Sequence, residues 1–273
     1  MNAMLKHMKP STKDDAKSKG KKRQDNSEGG DTSTMITQVN QHKMAVINNT
    51  IAENLSPVRA CDFQSLLPPV DERLAHRPCL VLDLDETLVH SSFKPVTVPD
   101  LVIPVEIKGN VHQVFVRLRP YIQEFMKRVG QMFEVVVFTA SLAEYADPLL
   151  DELDPDGSLI HHRLFREHCS NTNGLFVKDL SLLGRPLPKV IIIDNSPTSF
   201  LFQPRNSIQC TSWFDDMDDH ELIDLLPVME DLAVCNSVYH VLDEFRLQMS
   251  SGQGLSNLPS YQPMHPQGDQ SSQ

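Results

Sequence analysis

Between residues 78 and 247 the spacing of apolar positions changes repeatedly, and each change marks an element. CLVL at Cys79–Leu82 is apolar without a break, as expected of a short strand buried on both faces. EVVVFTAS (Glu134–Ser141) and KVIIIDNSP (Lys189–Pro197) repeat the pattern, and SIQCTSWFDD from Ser207 predicts a fourth strand and its exit. LVIPVEI and HQVFVRL, on either side of Gly109-Asn110, are β-like runs joined by a plausible hairpin turn. RPYIQEFMKRVG predicts a helix over Arg119–Gly130, with Pro120 in its first turn and Gly130 as its C-cap. Ser141 and Glu144 stand at capping-box spacing and predict a helix from there through Leu153. Arg163–Leu180 predicts a hairpin turning at Asn173-Gly174. Asp218–Val234 predicts one acidic amphipathic helix, with Asp218 and Glu221 again at capping-box spacing. The strands at 80–82, 135–138 and 190–193 are separated by helical segments, and each delivers polar residues at its carboxyl end. That pattern predicts a parallel α/β sheet with a site at one edge. The strand order does not follow from periodicity.

The flanks differ from this middle. Residues 1–74 carry few periodic apolar positions and predict disorder, as does the Ser-, Gly-, Pro- and Gln-rich tail 248–273. The folded domain is therefore expected over 75–247. KSKGKKRQ, Lys17–Gln24, holds five basic residues in eight and reads either as solubilising charge or as a nuclear-import or nucleic-acid-contacting patch. The whole chain of 273 residues has a net charge of −11, which argues against direct nucleic-acid binding. Cys61, Cys79, Cys169, Cys210 and Cys235 are odd in number, widely spaced and without a CxxC pair. They point to a reducing compartment and away from a disulfide scaffold or a thiolate zinc site. No apolar run is long enough for a membrane span, and MNAMLKHMKPSTKDD lacks the apolar core of a signal peptide.

Candidate chemistry sits in CLVLDLDETLVH. Asp83 and Asp85 follow the first strand one residue apart. They are ordinary turn residues or, because uncompensated carboxylates beside a core are costly, ligands of a hard cation such as Mg²⁺. With Thr139, Lys178, Asp194 and Asn195 they meet the requirements of phosphoryl transfer. Asp83 is the candidate nucleophile, forming an aspartyl-phosphate. Asp85 is the candidate acid toward the leaving alkoxide and then the base toward water. Thr139 offers a hydroxyl and Lys178 a positive charge to phosphate. Either Asn195 or Asp194 is left to complete a metal site with Asp83 and the Asp85 carbonyl.

DLDETLVHSSFKP, FTASLAEYAD, RLFREHC, VKDL, IIIDNSP and SWFDD together resemble the small phosphatases of the RNA polymerase II carboxyl-terminal domain, within the haloacid-dehalogenase superfamily. The resemblance runs from about 78 to 245. It implies a haloacid-dehalogenase-like Rossmannoid α/β fold, a parallel sheet flanked by helices, with small β insertions and no large cap. It also implies a Mg²⁺-dependent protein serine/threonine phosphatase acting on phosphoserine in Pro-containing peptides such as the polymerase heptads. The implied metal ligands are Asp83, the Asp85 carbonyl and Asn195, with Asp194 close by. A proline pocket is implied at Phe93, Val105, Ile107, Val114, Leu142 and Tyr145, with Arg166 near the peptide. A phosphorylated protein partner, RNA polymerase II's largest subunit among the candidates, a monomer and a nuclear location are the accompanying expectations, with the cytoplasm as a second compartment.

Two departures bear on substrate: Leu175-Phe176 stands where relatives carry a Tyr before VKD, and Glu144 stands where a basic residue is usual. The rival reading is a phosphatase for a small metabolite or another nuclear phosphoprotein. Small metabolites are usually enclosed by a cap, yet 56 positions separate Asp83 from Thr139 and 39 separate Thr139 from Lys178. Neither gap holds an independent cap domain. DDMDDHELID, Asp215–Asp224, reads as a solvated helix start.

Overall fold

The computed structural model describes residues 65–251 apart from residue 108. The expectations for the basic patch and the remote tails lie outside these residues. The folded unit reaches further toward the amino terminus than residue 75: Leu67 is buried, and the Leu66 amide donates to the Leu182 carbonyl at 2.8 Å.

Five parallel strands form the central sheet: β1 (Cys79–Leu82), β5 (Glu134–Phe138), β6 (His162–Leu164), β9 (Val190–Asp194) and β10 (Ser207–Gln209). Their order is β10-β9-β1-β5-β6. The apolar runs are continuous because both faces are covered. Leu80, Leu82, Val135, Val137, Ile191 and Ile193 join one core cluster, while Cys79, Val81, Val136, Phe138, Val190 and Ile192 join a second.

The first cluster contains the buried residues of α1 (Ile122–Met132), α2 (Ala143–Leu153), α3 (Glu221–Asp224), α4 (Leu226–Val234) and α5 (Val238–Ser250). The second face is closed by Leu67, Leu180, Leu183 and Phe200, from short turns and 3₁₀ segments. Two small insertions carry the remaining strands. β2 (Val89–Ser92), β3 (Leu101–Ile107) and β4 (Asn110–Leu118) form an antiparallel sheet in the order β2-β4-β3. β7 (Ser170–Thr172) and β8 (Leu175–Val177) form a hairpin turning at Asn173-Gly174, where φ is 53° and 80°, as a two-residue hairpin turn of this hand requires.

Four local expectations are corrected. Gly130 lies inside α1, whose C-cap is Phe133; a Cβ at Gly130 would meet Leu159 Cδ2 at 3.2 Å, so close packing rather than capping accounts for the glycine. Ser141 does not cap α2: the N-cap is Leu142, with no side-chain hydrogen bond. The acidic helix is two helices separated at Leu225, with Pro227 in the first turn of the second. Asp218 and Glu221 form no capping box: the N-cap is His220, and the Glu221 carboxylate receives Arg119 and Thr211 instead.

Candidate active site

The three central strands end together. β1 pairs with β5 through Leu82–Val137 and with β9 through Leu82–Ile193. Asp83 therefore leaves the sheet beside Asp194, and the Asp83 amide donates to the Ile193 carbonyl at 3.0 Å. Thr139 follows β5 and Lys178 follows β8. The carboxyl edge of a parallel sheet thus gathers four residues far apart in the chain.

Lys178 is the centre of this group. Its fully buried ammonium donates to Asp83 Oδ1 at 2.6 Å and to Asp194 Oδ2 at 2.5 Å. Burial opposes its charge, but the Asp194 and Asp83 carboxylates more than offset that and hold the lysine above its ordinary pKa. Burial foremost, then the charge of Asp194, pushes the Asp83 carboxyl up, while Lys178 pulls it down. Thr87 Oγ donates to Asp83 Oδ2 at 3.1 Å, so both carboxylate oxygens are fixed. Asp194 Oδ1 accepts from the Ser196 amide at 2.8 Å.

Asp85 is 2% exposed and has different partners. Ser141 Oγ donates to its Oδ2 at 2.6 Å and the Tyr145 hydroxyl to its Oδ1 at 2.9 Å. Burial raises its pKa, and the Ser141 and Tyr145 hydrogen bonds oppose that. Glu86, the next residue, has φ 61°, a left-handed conformation that turns the chain sharply after Asp85.

Asp83, Asp194, Asn195, Ala140, Leu175 and Phe176 line a small cavity. Two carboxylates share one ammonium there, which leaves one negative charge for a further cation. The Asn195 amide nitrogen donates to Ser212 Oγ at 2.8 Å, leaving its oxygen for another ligand. Among the described residues no three His, Cys, Asp or Glu side chains form a metal cluster. The donors are hard oxygens from mixed groups, which suits Mg²⁺ and not zinc.

The remaining residues named from sequence divide. Thr139 is buried, and its hydroxyl accepts the Ser141 amide at 3.0 Å. Arg166 Nε donates to the Ala140 carbonyl at 2.6 Å, and its guanidinium lies over the Phe176 ring at 5.1 Å, beside the cavity. Phe93, Ile107 and Leu142 are half-buried. Val105, Val114 and Tyr145 are more deeply buried, at 2%, 0% and 2% exposure. Sequence reasoning missed Arg119, Thr87 and the hydroxyl of Ser141. The side chain of Arg119 is fully buried and grips Asp219 with two 2.8 Å hydrogen bonds, Glu221 at 2.7 Å and the Thr87 carbonyl at 3.1 Å. DDMDDHELID is thus partly a counter-charge to a buried arginine rather than only a solvated helix start. Thr87 was legible four residues after Asp83, within the DxDx(T/V) stretch; nothing local marked Arg119.

Comparison with known proteins shows the family. The model of the NLI interacting factor-like phosphatase family matches residues 78–239. The chain belongs to that family. A "Probable C-terminal domain small phosphatase" of Dictyostelium discoideum is 58% identical over 181 residues, covering 66% of this chain and 59% of that one. "Phosphatase PSR1" of Saccharomyces cerevisiae is 55% identical, covering 64% of this chain and 41% of that one. The human "Carboxy-terminal domain RNA polymerase II polypeptide A small phosphatase 1" is 52% identical over 196 residues, 72% of this chain and 75% of that one. The chain thus spans 59% and 41% of the length of the first two relatives. A solved structure of Fcp1, an essential RNA polymerase II CTD phosphatase, superposes with a TM-score of 0.52 at 17% identity, over 66% of this chain and 68% of that one. That likeness shows the haloacid-dehalogenase-like fold.

Proposed function

We propose that this chain is a Mg²⁺-dependent protein serine/threonine phosphatase that works through an aspartyl-phosphate on Asp83. The observation that carries the reading is the buried Lys178 between Asp83 and Asp194, at the end of the strand that also delivers Asp85. Lys178 keeps Asp83 oriented and offsets charge when a phosphate enters. Asp83 attacks phosphorus, Asp85 gives a proton to the leaving serine oxygen, and Asp85 then takes a proton from the water that releases phosphate. Thr139 and Lys178 bind phosphate oxygens. Asp83, the Asp85 carbonyl and Asn195 would hold the magnesium, with Asp194 close by. When bound, that ion neutralises phosphate charge.

Phosphoserine in the heptads of the RNA polymerase II carboxyl-terminal domain is the proposed substrate, supported by the names of the relatives. Phe93, Val105, Ile107, Val114, Leu142 and Tyr145 are the proposed walls for a substrate proline, with Arg166 beside the peptide. A nuclear monomer is proposed with it. No helix among the described residues is long and apolar enough to cross a membrane. A panel of heptad peptides phosphorylated at different serines, with small phosphometabolites beside it, tests the reading. Phosphate release from peptides and not metabolites is expected; the reverse preference would favour the metabolite phosphatase.

A further inference from the structure

We propose that Ser141 and Tyr145 are positioning residues that keep the Asp85 carboxyl in one place through both of its protonation states. The inference rests on the reading of Asp85 as acid and then base. In the first step the Asp83–phosphorus bond forms, the bond from phosphorus to the serine oxygen breaks, and that oxygen takes the proton of Asp85. In the second step water oxygen bonds to phosphorus, the Asp83–phosphorus bond breaks, and Asp85 recovers a proton from that water. Asp85 therefore alternates between carboxylic acid and carboxylate within each turnover.

Its side-chain partners suit that alternation. The hydrogen bonds at 2.6 Å and 2.9 Å both come from hydroxyls. A backbone N–H or an ammonium only donates, and so favours the carboxylate. A hydroxyl donates or accepts by turning about one bond. Facing a carboxylate, both hydroxyls donate. Facing the acid, either can turn its hydrogen away and accept, with no heavy atom moving. Ser91 Oγ also touches the Tyr145 oxygen, and either of the two can donate, so it can accept the turned phenol hydrogen. All four residues are buried, at 3% exposure or less, so water does not do this job in their place.

Two independent features support the assignment. Ser141 stands at a helix entrance, where serine ordinarily caps, yet its hydroxyl goes to Asp85 and α2 starts without a side-chain cap. Tyr145 buries its ring in the core, and its hydroxyl emerges only at Asp85 and Ser91.

The test uses the full chain and two substrates of unlike leaving group. A phosphoserine peptide needs a proton on its departing alkoxide, whereas p-nitrophenyl phosphate releases a stable anion without one. Ser141→Ala and Tyr145→Phe are compared with Asp85→Asn. For the peptide, kcat/KM is expected to fall by about 10–100-fold, within the range of general acid catalysis. For the aryl phosphate, kcat/KM, which reports only steps through phosphoryl transfer, should stay within about threefold. Its kcat should drop, with a burst of nitrophenolate equal to the enzyme, because Asp85 also serves the second step. Ser141→Thr, which retains the hydroxyl, should recover most of the peptide activity. Equal losses of kcat/KM on both substrates, or none on either, would overturn the proposal in favour of a purely structural role. Leaving-group dependence in Asp85→Asn but not in the hydroxyl variants would sink this inference alone. Its absence in Asp85→Asn would sink the acid–base reading and the inference with it.

Discussion

Replacing Arg119 by Met should destabilise the domain severely while conserving side-chain volume. The guanidinium is fully buried, whereas Asp219 and Glu221 keep side-chain exposures of 13% and 16%. Removing one partner of a buried ion pair costs about 3–5 kcal/mol. Here the two acids reach water and recover part of their solvation, which favours the lower end. The Thr87 and Thr211 carbonyls, bonded to Arg119 at 3.1 and 3.2 Å, lose their partner and push the cost back up. A loss of about 3–4 kcal/mol is expected, which lowers the midpoint of a domain this size by roughly 6–15 °C. Arg119→Lys keeps the charge and loses the two-pronged grip on Asp219, so an intermediate loss is expected. Urea unfolding measures both, followed by far-UV circular dichroism and by fluorescence of Trp213, the chain's single tryptophan. Trp213 sits on the loop that Arg119 anchors, its amide donating to the Glu86 carbonyl at 2.8 Å. A loss below about 1 kcal/mol by both probes, the worth of an exposed pair, would refute the reasoning.

Asp83→Asn should fold at near wild-type stability and lose turnover; activity within about tenfold of wild type would remove Asp83 as nucleophile. EDTA should abolish activity and Mg²⁺ restore it, with zinc a poor substitute, as assays of chelated protein will show. Glu134, 1% exposed, is held by Arg185 and His162 against the upward pull of burial and has its carboxyl lowered to about 2. Its folded pKa lies below the unfolded value, so its contribution is complete above about pH 5 and is lost as pH falls toward 2. Roughly 3 kcal/mol is at stake, and the stability gap between wild type and Glu134→Gln should shrink over that window in urea titrations. Phe93→Ala should lower kcat/KM for Pro-containing phosphopeptides and leave a small aryl phosphate nearly unchanged; equal losses would make Phe93 a core residue only.

The central sheet was legible because strands buried on both faces write themselves as unbroken apolar runs. CLVL, EVVVF and VIIID needed no partner to be recognised, and Asp83, Asp85 and Asp194 were legible as the carboxylates that end two of them. The strand order was not, since register depends on contacts between segments 50 or more residues apart. The helix caps misled for one physical reason. A side chain such as Ser141 or Glu221 has local options that sequence displays, and distant partners that it does not. Asp85 lies 56 residues from Ser141, and Arg119 lies 102 from Glu221.

Asp83, Thr139 and Asp194 close three adjacent strands, β1, β5 and β9, whose apolar side chains have essentially no contact with solvent. Their relative placement is therefore set by the backbone ladder rather than by loops free to adjust. In hydrogen exchange the amides of Leu82, Asp83 and Val137 should be among the last to open, and only through the global event. Partly opened molecules that have lost the site but kept the sheet would then not accumulate. Heat inactivation should follow the same first-order course as unfolding itself, so that the half-life of the proposed activity at a given temperature is the half-life of the central sheet.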